Sequence, residues 1–271
     1  PTATVALKGT NTYTGHTTIA NGVLKLIEGG TLSLSSGVTI ADEAGNQLDI
    51  SGAAGDQTIK SLNGDGEVIL GDNTLIIAND NGKSPGSYNG NIKNGVSGND
   101  GGLTLNANAP GDVFTLTAKN EYEGATTIAK GTLKLGDDEA IAASSGVKMT
   151  SAATTLEVAD DVNASIKKLD NDSNAGSTIN LGTGTLTLTG SNTVSAEDLG
   201  SYNGVIADTT GNLAINAAHE GSHFTLNSAS DHTGATSINK GILRLGVPGS
   251  VANSSGVIIG TDGTFDIAAT S

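Results

Sequence analysis

A sixteen-residue phrase occurs three times in this chain, and its spacing constrains the fold more than any single residue does. It reads NTYTGHTTIANGVLKL at 11–26, NEYEGATTIAKGTLKL at 120–135 and SDHTGATSINKGILRL at 230–245. The first two copies agree at eleven of sixteen positions, and Gly15, Gly124 and Gly234 stand 109 and 110 residues apart. Other strings keep the same step. SSGV recurs at 35–38, 144–147 and 254–257, FTLT at 114–117 returns as FTLN at 224–227, and SYNG at 87–90 returns at 201–204 with an offset of 114. A fixed long period marks a stacked architecture in which each unit buries its apolar side against the next. The 271 residues therefore read as a single elongated segment of about two and a half repeats, at 1–110, 111–220 and 221–271.

Within each unit, aliphatic residues alternate with polar ones. Leu24 and Leu26, Leu32 and Leu34, Leu48 and Ile50, Leu75 and Ile77, and Leu103 and Leu105 form such pairs, as do Leu133 and Leu135, Leu156 and Val158, Leu186 and Leu188, and Leu213 and Ile215. Period two places one set on the inner face of a strand and the other outside. Gly, Asn, Asp and Ser fill the gaps, as turns require. ADEA at 41–44 and DDEAIAAS at 137–144 come nearest to a helical pattern and are too short to propagate. The expected class is all-β, a β-solenoid with minimal helix. At an assumed 20–25 residues per coil, five coils per unit and twelve in all give a rod of roughly 55–60 Å.

The composition suits a narrow aliphatic core. Only 3% of residues are aromatic while 36% are hydrophobic, and there are 39 glycines against four prolines. The formal charge is −15, from 28 acidic and 13 basic residues. With no basic stripe to neutralise phosphates, the charge argues against nucleic-acid binding and against anionic membrane surfaces. There is no cysteine, which removes disulfides, thiolate metal sites and cysteine nucleophiles. No signal-peptide pattern and no apolar run of membrane-spanning length occurs, and the chain reads as a segment of something longer.

The phrase resembles the repeat of bacterial autotransporter passenger domains, the autotransporter-associated β-strand repeat, which runs approximately N-x-Y-x-G-x-T-x-I, a short turn, then G-x-L-x-L. Asn11, Tyr13, Gly15, Thr17, Ile19, Gly22, Leu24 and Leu26 match it, as do Asn120, Tyr122, Gly124, Thr126, Ile128, Gly131, Leu133 and Leu135. The third copy places Ser230 and His232 where the pattern has Asn and Tyr, and keeps Gly234, Thr236, Ile238, Gly241, Leu243 and Leu245. The resemblance implies a right-handed parallel β-helix displayed at the bacterial cell surface or secreted, with export through an outer-membrane barrel that this segment does not contain. In the phrase itself, Gly15 and Gly22 suit tight corners or the close approach of a neighbouring coil. Tyr13 and Tyr122 either cover a corner or project from it.

Candidate chemistry is thin. Arg244 is the single arginine and replaces Lys25 and Lys134 between two leucines, a position that points outward from a strand. Polysaccharide chemistry would need a base beside an acidic cluster or two facing carboxylates, and no spacing marks such a pair. His16 and His232 flank repeat turns. His219 and His223 are four apart, but Gly221 interrupts them in a loop, so they read as turn residues rather than zinc ligands. The oxygen-rich strings at 63–67, 79–82, 137–138 and 170–173 match no calcium-loop pattern and read as turns. No catalytic, cofactor-binding or metal-binding residue is assigned, and ligand-binding residues are left unassigned.

The expected function is therefore non-enzymatic, without a cofactor. The chain reads as an adhesin or surface-display stalk whose partners are a host-cell receptor, matrix, a glycan, or another rod. The alternative is a secreted effector or toxin fragment acting through a specific host receptor. A compact insertion projecting from the rod would mark that alternative, with 87–113 as its expected place.

Overall fold

The computed structural model describes residues 3–96, 98–171, 176–191, 195–207 and 209–267. All strand pairing among them is parallel, and none of them is helical. The chain winds as a β-solenoid of about eleven turns. At roughly 4.8 Å between stacked strands, that is a rod about 50 Å long.

Each turn visits three faces in a fixed order. The first face stacks Thr4–Lys8, Val23–Glu28, Gln47–Ala53, Glu67–Ile69 and Asn91–Lys93, then passes through a bridge from Lys93 to Glu121. Above that, Asp138 accepts from the backbone of Asn163 and Ser165, and the face resumes with Asn163–Ile166, Thr185–Leu188, Asn212–Asn216 and residues 236–238 and 257–259.

The second face stacks Gln57–Ile59, Leu75–Ile77, Leu103–Asn106, residues 126–128, Val147–Met149 and Leu169–Asp170. It continues through Asp198–Tyr202, which packs on Leu169, to His223–Leu226 and residues 242–245. The third face holds Thr17–Ile19, Val38–Ile40, Leu62–Gly64, Gly86–Tyr88, Val113–Leu116, residues 131–135, Thr154–Val158, Thr178–Asn180 and Val205–Ile206. Bridges to Ser230 and Ser250 extend it.

In-register stacking turns the alternation into columns. On the third face Phe114, Leu133, Leu156, Ile179 and Ile206 lie one above another, all buried. On the second face Ile59, Ile77, Leu105, Ile128 and Met149 do the same. Each fully buried aliphatic side chain contributes about 1.5–3 kcal/mol. The few aromatics are spent here too: Tyr88, Tyr122, Tyr202, Phe114 and Phe224 are the largest fully buried side chains.

Two local expectations change. Leu32 and Leu34 lie in a turn, not a strand, because the Ser35 amide donates to the Leu32 carbonyl and bends the chain; Leu32 is buried and Leu34 exposed. Turn length is also less even than assumed. Eighteen residues separate Gln57 from its partner Leu75, and 28 separate Leu75 from Leu103, the extra residues being taken up at the corners.

Candidate functional site

The repeated phrase builds a corner closed by a hydroxyl relay. In the second copy the Tyr122 hydroxyl lies 2.6 Å from Thr126 Oγ1, which donates to Ser144 Oγ at 2.9 Å, which donates to the Gly124 carbonyl at 2.9 Å. Because Ser144 gives its proton to a carbonyl and Thr126 gives its own to Ser144, Thr126 must accept from Tyr122. The relay runs one way, and all three side chains are buried. A dry corner of this kind needs every polar group paired.

The first copy repeats the chain of contacts through Tyr13, Thr17 and Ser35, at 2.7 and 2.8 Å, with Ser35 donating to Gly15. The third uses His232 Nε2, Thr236 and Ser254, at 3.0 and 3.2 Å, with Ser254 donating to Gly234. SSGV recurs with the phrase because its first serine closes the relay of the turn below.

Tyr122 covers its corner, while Tyr13 makes the same bond from a position 40% exposed. His232 meets the donor requirement of its corner through Nε2–H. Its Nδ1 accepts from Ser230 Oγ at 2.5 Å. Burial holds the His232 imidazole below its ordinary range. The sign follows directly. Above the unfolded value of about 6.5 both states are neutral and the full stability is present. As pH falls through that value, the unfolded chain takes up a proton that the buried ring refuses, so stability drops until the folded pKa is passed. Denaturant midpoints measured from pH 7.5 to 4.5 are expected to fall, and His232→Tyr, which installs the residue of the other two corners, is expected to flatten the part of that slope due to this ring.

Gly22, Gly131 and Gly241 turn the chain between the two strands of each copy at φ of 103°, 100° and 100°, a left-handed conformation that favours glycine. The outward base of each copy pairs with an acid one turn on and in register: Lys25 with Asp49 at 2.7 Å, Lys134 with Glu157 at 2.6 Å, and Arg244 with Asp266 at 3.0 Å. Arg244 thus points outward as expected. Sequence reading missed its partner because the partner sits 22 residues away on the next turn. Half-exposed pairs of this kind contribute about 0–1 kcal/mol each.

The remaining candidates fall into the same framework. His16 Nε2 lies 2.8 Å from Thr39 Oγ1. His223 stands 3.9 Å from Asp198, and His219 accepts at a corner from the Ser222 amide. The oxygen-rich turns carry internal donors: Asn89 on Asp65, Lys93 and Gln47 on Glu67, Lys60 on Asp80, and the Asn163 amide on Asp138. Of the string at 170–173, residues 172 and 173 lie outside the described residues. Described residues of 87–113 belong to Gly86–Tyr88, Asn91–Lys93, Leu103–Asn106, the start of Val113–Leu116 and the corners between these strands, so they form turns of the rod rather than a projecting insertion. Asn94 ties that stretch down by donating to the carbonyls of Gly71 and Gly101.

What faces outward is a row of small polar groups. On the third face, Thr18, Thr39, Asn63, Ser87 and Thr115 stand in register on successive turns, followed by Lys134, Glu157 and Asn180. Above them lies a shallow groove of about 380 Å³, lined in part by Lys134, Asp160, Asn180, Thr183 and Thr209.

Four stretches, 2–26, 112–135, 181–206 and 223–245, match the family model of the passenger-associated-transport-repeat. Three end at Leu26, Leu135 and Leu245, the last residues of the three phrases. The fourth escapes a search for the phrase because it has no G-x-T-x-I; its strands Asp198–Tyr202 and Val205–Ile206 are joined by Asn203 and Gly204, with Tyr202 buried. No curated protein and no solved structure matches the chain significantly. The repeats and the solenoid they build agree: the chain carries four passenger-associated-transport repeats in a β-solenoid, consistent with an autotransporter passenger domain.

Proposed function

We propose that this segment is a non-catalytic adhesive rod, displayed at the cell surface or released from it, that binds a glycan, matrix or receptor surface through its outward polar rows. The observation that supports the reading is the division of labour between the two sides of each strand. The inward and corner residues of the repeated motifs, and their outward bases, are consumed by cohesion: aliphatic columns, hydroxyl relays and cross-turn ion pairs. What faces a partner is a flat row of hydroxyl and amide side chains from Thr18 to Thr115 at strand spacing, without a charge along five turns, in which Thr39 also meets His16 and Asn63 Oδ1 accepts from the Ser87 amide. Short hydroxyl and amide groups suit many weak hydrogen bonds to a hydroxyl-rich polymer, with affinity built by multiplicity.

Purified chain tested on a glycan array and on cultured cells is expected to bind, and replacing Thr39, Asn63, Ser87 and Thr115 together with lysine is expected to lower that binding at least about tenfold with the fold retained. Absence of binding by the intact chain, both on the array and to cells, would contradict the adhesive reading and leave a display stalk. Saturable binding to a single receptor, unaffected by the lysine substitutions, would favour the effector reading.

A further inference from the structure

The sequence repeat and the structural turn are out of phase. From Thr17–Ile19 the third face rises four turns, through Val38–Ile40, Leu62–Gly64 and Gly86–Tyr88 to Val113–Leu116. The chain then crosses the first face at Glu121 before the second copy of the phrase begins on the second face, at 126–128. The next interval is the same. From 126–128 the second face rises four turns, through Val147–Met149, Leu169–Asp170 and Asp198–Tyr202 to His223–Leu226. The chain then crosses the third face at Ser230, and the third copy begins on the first face, at 236–238. One repeat is therefore four turns and two further faces, not a whole number of turns.

Every other repeated string obeys this phase. The strand after SSG lies on the third face at Val38, the second at Val147 and the first at Val257. Tyr88 and Phe114 are on the third face, and their counterparts Tyr202 and Phe224 are on the second. The outward bases follow suit: Lys25 on the first face, Lys134 on the third and Arg244 on the second, with side chains 36%, 35% and 38% exposed. Equivalent positions are thus not stacked above one another, although the residues within each column are.

We infer that the repeat carries equivalent surfaces around the rod, each advanced about 22 Å along the axis and turned by one face. A partner that recognises the repeated unit is then held on three different sides by successive units. Such a rod joins separate partner molecules, or the strands of a surrounding network, and does not zip along one flat surface. Contacts repeated along a single side must come from non-equivalent residues, such as Thr39, Ser87 and Lys134. The inference stands on the phase alone and does not require the adhesive reading.

Because the chain lacks cysteine, introduced thiols can carry a weak biotin analogue on a short linker over a dense planar streptavidin layer. Three sets are compared: single K134C; the equivalent set T18C/T127C/S237C, which leaves the ion pairs intact; and the one-face set T39C/S87C/K134C. Unchanged circular dichroism confirms folding of each, and K25C/K134C/R244C serves as a second equivalent set. The one-face set is expected to dissociate about 10²-fold or more slowly than the single tag, and the equivalent sets within about twofold of it. An equivalent set that dissociates as slowly as the one-face set would overturn the inference, and so would a one-face set that gains nothing over the single tag.

Discussion

Gly124→Ala is expected to be among the most damaging single substitutions in the rod, while Gly15→Ala, at the same position of the phrase, is expected to be nearly silent. A Cβ on Gly124 would overlap the backbone carbonyl oxygens of Asp100 and Gly101 on the turn below, and one on Gly234 would overlap that of Gly211. These are main-chain atoms inside a hydrogen-bonded stack, so the turns must part to make room. At Gly15 the corresponding space is open. Forced overpacking of this kind costs about 3 kcal/mol or more at a central turn. Urea unfolding of the two variants checks the contrast: a large fall in midpoint for Gly124→Ala against a shift of less than about 0.5 kcal/mol for Gly15→Ala. Equal effects would mean that the glycine serves the turn itself and not the approach of its neighbour.

Thr126→Val is the second large effect. Valine keeps the shape of the side chain and removes the link between Tyr122 and Ser144, leaving the Tyr122 hydroxyl as an unpaired donor in a dry corner. The cost of a buried unsatisfied donor plus the lost bonds is about 2–4 kcal/mol. Thr17→Val cuts the same relay in the first copy, where Tyr13 is exposed and water can replace the lost partner. Its expected cost is below about 1 kcal/mol. Tyr122→Phe combined with Thr126→Val should recover part of the loss, since it removes the orphaned donor. A double-mutant cycle measures that coupling.

Much of this architecture can be read from the residues alone. Alternation located the strands at Leu48 and Ile50, Leu103 and Leu105, or Leu186 and Leu188, because each inward residue must be aliphatic to fill a column. The same logic placed Arg244 outside. Two kinds of information were out of reach. Partners across turns, such as Ser144 for Thr126 or Glu157 for Lys134, lie 18 and 23 residues away, and nothing in a single sequence says which residue of the next turn stands opposite. The phase of the repeat was hidden too, because corner lengths vary and no average coil length separates five turns from four turns and two faces.

The candidate surface was less legible than the fold. The positions that recur most faithfully are structural, so repetition drew attention away from the outward row. Thr18, Ser87 and Thr115 belong to three different repeated strings and Thr39 and Asn63 to none, so the five become neighbours only when five turns are stacked. Leu32 and Leu34 mark the converse limit. Their alternation is that of a strand, but Ser35 is required at the corner and the chain turns there instead.

The central claim is that residues one turn apart on a face are neighbours, while residues closer in sequence stand on different faces. Paired cysteines in this cysteine-free chain test it directly. Thr39 and Asn63 are in-register partners on the third face, whereas Thr58 lies on the second. Strands about 4.8 Å apart bring Cα atoms within the range a disulfide spans. Under mild oxidation T39C/N63C is predicted to form an intramolecular disulfide rapidly and almost completely, and T39C/T58C to remain reduced. Efficient cross-linking of T39C/T58C with none in T39C/N63C would contradict the three-faced solenoid.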